Sequence, residues 1–129
     1  MSSVYVDLAA TLIDGDPLAV DDEAVRALQY LREGGLEIVV VSPDGIAHPE
    51  ALREVVQGVV EDVPEHPEQP SWYLTRDMDR CRGGSARLRT VLLGGAPPSG
   101  SVRRCDGFAR DLQAAAMEIL AAEAMPGKL

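Results

Sequence analysis

The sequence predicts an α/β domain, a parallel β-sheet in three layers with helices on both faces. Three observations carry this reading. Short apolar runs rich in β-branched residues alternate with amphipathic stretches, several of the runs end in a small polar or acidic residue, and no linker is long enough to divide the chain. At 129 residues the chain matches the ~100–150 residues typical of one domain, so residues 1–129 are expected to form a single unit.

The elements follow in order. Val4-Tyr5-Val6 leads into Asp7, and Leu36 to Val41 leads into Ser42; both runs read as buried strands. Between them, Ala24, Val25, Ala27, Leu28 and Leu31 recur at helical spacing within Asp21 to Glu33. Asp21 or Asp22 can cap that helix, and Gly34-Gly35 can end it. Strand, helix and strand with short links make a βαβ unit, hence a parallel pair.

Pro49 to Gln57 is expected to be a helix with His48 just before it, and Val59-Val60 with Val63 a short strand. Prolines 64, 67 and 70 mark a loop, in which His66 faces solvent. Trp72 to Thr75 reads as a strand, with Trp72 and Tyr73 in its core and at its edge. Asp77 to Arg82 reads as a short helix stopped by Gly83-Gly84, and Thr90 to Leu93 as a strand closed by Gly94-Gly95, followed by a loop to Gly100. A last helix is expected from Ala109 to Glu123, with Leu112, Ala115, Ala116, Ile119 and Leu120 on one side and Phe108 and Met117 filling the core.

Charge excludes some functions. Twenty-one acidic against 12 basic residues give a net charge of −9, a poor match to a nucleic-acid backbone. The dense basic group Arg80, Arg82, Arg87 and Arg89 reads as a solvated helix face. The only lysine is Lys128. Cys81 and Cys105 lack zinc-ligand spacing and read as reduced thiols, which with no signal-like start in MSSVYVDLAA and no run of ~20 apolar residues gives a cytoplasmic expectation with no membrane partner. No feature sets an oligomeric state.

Ligands of a parallel sheet bind beyond the carboxyl ends of its strands. That singles out Asp7, Ser42, Arg76-Asp77 and Gly94-Gly95. Asp and Ser also favour such places simply as caps and turn formers, so position alone leaves both readings open.

Val4 to Leu12, reading VYVDLAATL, resembles the first motif of the haloacid dehalogenase-like hydrolase superfamily, an apolar strand followed by Asp-x-Asp-Gly-Thr-Leu. Val39-Val40-Val41-Ser42 is similar to the second motif, and Trp72 to Asp77 with the strand ending at Gly94 to the fourth. Cys105 to Leu112 also resembles the family's C-terminal segment. The resemblance implies a Rossmann-like fold, here without a cap domain, and a magnesium-dependent phosphohydrolase mechanism. It makes Asp7 the nucleophile and Ser42 a hydrogen-bond donor to the phosphoryl group. Leu8, Ala9, Thr11 and Ser42 would form the phosphate site, and Mg2+ would be held by Asp7, the Ala9 carbonyl and Asp77.

The chain departs from that pattern at chemically decisive places. The general acid/base aspartate is replaced by Ala9 and the following glycine by Ala10. No lysine lies between Ser42 and Asp77, so Arg53, His66 and Arg76 are the stand-ins for the third motif's cation. The expectation is therefore a phosphohydrolase-type domain that binds magnesium and a small or macromolecular phosphorylated ligand, with weak or lost phosphatase activity. The alternative is a non-catalytic protein-interaction or regulatory module on the same fold. If the chain is an enzyme, it is a magnesium-dependent phosphatase.

Overall fold

The computed structural model describes residues 2–13, 16, 19–42, 50–81, 87–94 and 105–124. Along the chain come β1 (Ser3–Asp7), α1 (Asp22–Glu33), β2 (Glu37–Val41), β3 (Gly58–Val60), β4 (Ser71–Thr75), β5 (Leu88–Leu93), β6 (Gly107–Ala109) and α2 (Leu112–Glu123). Tight 3-10 turns occupy Leu8–Thr11, Glu50–Leu52 and Met78–Arg80. The strands form one sheet in the order β3-β2-β1-β4-β5-β6, and every neighbouring pair is parallel. The order reverses between β1 and β4, the switch point beyond whose strand ends ligands of such sheets bind.

Strand alternation divides the core. Val4 and Val6 of β1, Ile38 and Val40 of β2, and Leu74 of β4 join one large cluster with Ala27, Leu28 and Leu31 of α1 and Ala115 and Ile119 of α2. The two α-helices pack against each other on this face. The residues in between turn the other way, where Val41, Tyr73, Leu88 and Val63 form a smaller cluster flanked by Tyr5 and Val60.

Local chemistry sets the helix limits. The Asp21 side chain accepts the Glu23 N–H at 3.0 Å, and Asp22 and Glu23 place negative charge in the first turn of α1. After Glu33 the chain passes through Gly34, where a Cβ would meet the Leu120 side chain of α2 at 2.5 Å, and Gly35, at φ +94°. The Asp111 carboxylate accepts the Ala114 N–H at 2.8 Å and starts α2.

Several expectations need correction. Within Pro49 to Gln57 the described part forms only the turn Glu50–Leu52. The adjacent β-branched Val55 and Val56 are mediocre helix formers, and Gln57 is drawn to β2 by two bonds, its N–H donating to the Ile38 carbonyl and its Oε1 accepting the Ile38 N–H. The expected helix after Asp77 is likewise a single 3-10 turn. The last helix begins at Leu112, because Gly107–Ala109 pairs with β5 as an edge strand. Phe108 and Met117 are 38% and 73% exposed and fill no core. The basic cluster is no helix face: Arg80 lies in the 3-10 turn, Arg87 donates to the Glu68 carbonyl, and Arg89 on β5 lies over the Trp72 ring at 5.4 Å. His48, Pro49, Arg82 to Gly84, Gly95 to Gly100 and Lys128 lie outside the described residues.

The two cysteines are not reduced thiols either. Cys81 and Cys105 form a disulfide with Cα atoms 5.0 Å apart. It ties the segment after β4 to the approach to β6. Linking residues 24 positions apart restricts the unfolded chain by roughly 3–4 kcal/mol in a chain-entropy account.

Candidate functional site

Register brings the site together. Val6 of β1 pairs with Leu74 of β4, so Asp7 and Thr75 lie one step further on, side by side and on the same face. Tyr73 precedes Thr75 by two residues and shares that face. The Asp7 side chain keeps only 11% of its surface, and a carboxylate that buried needs donors. It has them. The Tyr73 hydroxyl donates to Asp7 Oδ1 at 2.7 Å, and Thr75 Oγ1 donates to Oδ2 at 2.5 Å.

A cation completes the group. Arg80 Nε donates to the Tyr73 hydroxyl oxygen at 2.6 Å and lies 3.5 Å from Asp7 Oδ2. Its terminal nitrogen pairs with Asp62 Oδ1 at 3.3 Å. Arg80 comes within reach because the backbone turns sharply after β4. Thr75 Oγ1 accepts the Asp77 N–H, and Asp77 Oδ1 accepts the Asp79 N–H, starting the 3-10 turn that carries Arg80.

These contacts shift the titrations. Burial pushes the Asp7 carboxyl above the ordinary aspartate value. The hydrogen bonds from Thr75 and Tyr73 and the Arg80 charge oppose this without cancelling it, and the nearby Asp77 charge adds to it. Burial and the bond to Asp7 raise the Tyr73 phenol, keeping it a neutral donor. Burial disfavours the Arg80 charge, yet Tyr73, Asp7 and Asp62 outweigh it and raise its value.

The remaining sequence-derived candidates line the same edge of the sheet. Leu8, Ala9 and Thr11 form the 3-10 turn directly after Asp7, with Ala9 exposed. Thr11 is fully buried and its hydroxyl donates to the Leu8 carbonyl at 2.7 Å, so it braces the turn. Ser42 follows Val41, the register partner of Asp7; it is 3% exposed, and its N–H donates to the Val60 carbonyl. Arg53, His66 and Arg76 are exposed, and among the described residues the cation beside Asp7 is Arg80.

Tyr73, Thr75 and Arg80 were not among the site residues read from the sequence. The two hydroxyls had a usable signal: they alternate along the strand whose end adjoins Asp7, and a buried carboxylate requires donors from a neighbour. Arg80 had none, because its position depends on the turn.

The magnesium donors implied by the resemblance are already engaged. Asp7 is bonded on both oxygens, the Ala9 carbonyl accepts the Leu12 N–H at 3.3 Å, and Asp77 Oδ1 accepts the Asp79 N–H at 2.9 Å. Among the described residues no three His, Cys, Asp or Glu side chains are grouped to hold a metal ion. An ion at ~2.0–2.1 Å would have to compete with these internal hydrogen bonds for the same oxygens.

No protein-family model matches the chain, and no curated protein does. Among solved structures, it is similar to a D,D-heptose 1,7-bisphosphate phosphatase from Burkholderia thailandensis, with a TM-score of 0.66 and 14% identity over 94% of this chain and 99% of that one. At that identity the likeness is one of fold. It supports a Rossmann-like parallel α/β architecture. No helix among the described residues is long and apolar enough to cross a membrane.

Proposed function

We propose that the chain is a phosphohydrolase-fold domain that hydrolyses phosphate esters weakly or not at all and binds a phosphorylated ligand, small or macromolecular, beyond β1 and β4. One observation carries the loss of turnover: both Asp7 oxygens accept hydroxyl protons, from Tyr73 and Thr75. A nucleophile must aim a lone pair at its target from ~3–3.5 Å, and each of these bonds withdraws electron density from the attacking oxygen. Ala9 compounds the loss. Its methyl group neither protonates a leaving oxygen nor activates water, a deficit of ~10²–10⁴ in rate.

The place of Asp7 at the switch point supports retained binding, as do the backbone amides of Leu8 and Ala9 at the start of their turn. Arg76 and Arg80 supply positive charge there. The Cys81–Cys105 bridge supports an oxidising setting over the cytoplasm, because structural disulfides persist in the former and are rare in the latter.

A second reading, a protein-interaction or regulatory module, draws support from the exposed acids Asp62, Asp77 and Asp79 beside Arg80, which repel a phosphate.

Hydrolysis of an aryl phosphate, with and without magnesium, tests the loss of turnover. Wild type is expected near background and unchanged by Asp7→Asn; turnover that Asp7→Asn abolishes overturns the reading. A rate gained on Ala9→Asp would show the rest of the site to be competent. Titration with inorganic phosphate, followed by backbone NMR, tests binding. Saturable shifts at Leu8, Ala9 and Arg80 are expected, and their absence at millimolar phosphate leaves the interaction module.

A further inference from the structure

We propose that Arg80 is a built-in counter-ion that occupies the place of a divalent metal at Asp7 and makes this site independent of magnesium. The inference rests on the phosphohydrolase-fold reading for the identity of the position.

Three contacts give Arg80 the tasks a metal would have there. It neutralises Asp7, with Nε 3.5 Å from Oδ2. It polarises the Tyr73 hydroxyl, donating to its oxygen at 2.6 Å while that hydroxyl donates to Asp7. It draws in a second carboxylate, Asp62, at 3.3 Å. One guanidinium thus bridges two acidic groups and a phenol with a planar array of donors. The ring of Tyr73 adds a face for the charge, 5.9 Å from the guanidinium carbon.

A magnesium ion and this arrangement compete for Asp7. An ion ~2.1 Å from Asp7 Oδ2 would lie no more than about 5.6 Å from Arg80 Nε, given the 3.5 Å between Nε and that oxygen. Two cations would then share one small, partly desolvated carboxylate, where their repulsion is weakly screened. Arg80 is also secured, since its turn is capped by Asp77 and followed at once by the bridged Cys81. Displacing it means opening that turn.

The experiment titrates MgCl2 into wild type, Arg80→Ala, Arg80→Lys and the double variant Arg80→Ala/Asp7→Asn, reading the melting temperature against NaCl of matched ionic strength. Mn2+ binding, counted by the EPR signal of the free ion, provides a second readout. Wild type is expected to show no saturable Tm rise and no bound Mn2+. Arg80→Ala should gain both, with a rise of roughly 4–8 °C at tenfold excess over its dissociation constant, and Asp7→Asn should erase the gain. Arg80→Lys, which keeps a charge, should bind less metal than Arg80→Ala.

Saturable metal binding by wild type that Asp7→Asn removes overturns the proposal, and so does an Arg80→Ala protein that folds and gains none. If Arg80→Ala does not fold, the wild-type and Arg80→Lys titrations still decide. None of these outcomes depends on hydrolysis or phosphate binding, so failure here is distinguishable from failure of the functional reading.

Discussion

The ten residues of β1 and β4 divide between two faces held by opposite physics. On one face, Val4, Val6, Trp72 and Leu74 meet α1 and α2, and area removed from water holds them there. On the other, Tyr5, Asp7, Tyr73 and Thr75 alternate with them, and the strand ends carry a buried carboxylate satisfied by two hydroxyls and a guanidinium. The first face is non-directional and tolerates approximate fits. The second depends on each bond being made, because a buried polar group left without its partner is costly. A parallel strand pair can therefore supply a stable core and a hydrogen-bonded polar edge at once, provided that register sets the right residues side by side.

The largest expected effect tests the apolar face. Leu31→Ala removes a fully buried side chain between α1 and its neighbours and should lower stability by about 2–5 kcal/mol, measured by chemical denaturation. A loss below 1 kcal/mol would show that this face is looser than its burial implies.

Tyr73→Phe tests the polar face with almost no change in volume. It strips a donor from Asp7 and an acceptor from Arg80, at an expected cost of about 1–3 kcal/mol. A neutral result would mean that the hydroxyl relay is dispensable and that the two faces differ less than their chemistry suggests.

The pH dependence sharpens the same contrast. Burial raises the Asp7 carboxyl above 3.8 in the folded protein, so the native state holds this proton more tightly than the unfolded chain does. Its contribution to stability is fully present below about pH 3.8 and is lost as pH rises through the raised folded value. The Tm of wild type minus that of Asp7→Asn should thus fall on going from pH 3.5 towards neutrality. A difference that grows instead would show that pairing with Arg80 dominates over burial.

The smallest effect is a control. Met117→Ala on the exposed side of α2 should change stability by less than about 0.5 kcal/mol, although the same residue type inside the helix face would not be so easily removed.

How far the sequence foretold these faces depends on the range of the interactions. The alternation in Val4 to Asp7 and Trp72 to Thr75 is a local property of extended backbone, and it was legible. So was α1, whose apolar stripe and Asp21 cap lie within one stretch. α2 was legible as a helix and in its buried side, Leu112, Ala115, Ala116 and Ile119, but Met117, expected in the core, faces outward. β6 escaped notice because Gly107-Phe108-Ala109 is too short for a pattern and exists through its pairing with β5.

The site divides in the same way. The sequence by itself determined that an aspartate ends β1 with the methyl group of Ala9 two residues on, because covalent identity does not depend on folding. It also set the faces of Tyr73 and Thr75, through the period of a strand. Only the tertiary structure decided that β4 lies beside β1, that Cys81 meets Cys105 across 24 positions, and that Arg80 swings back on a 3-10 turn to pair with Asp7. Those outcomes rest on sheet order and turn geometry, which place residues distant in the chain within a few ångströms, and electrostatics acts on distance in space rather than on spacing in sequence.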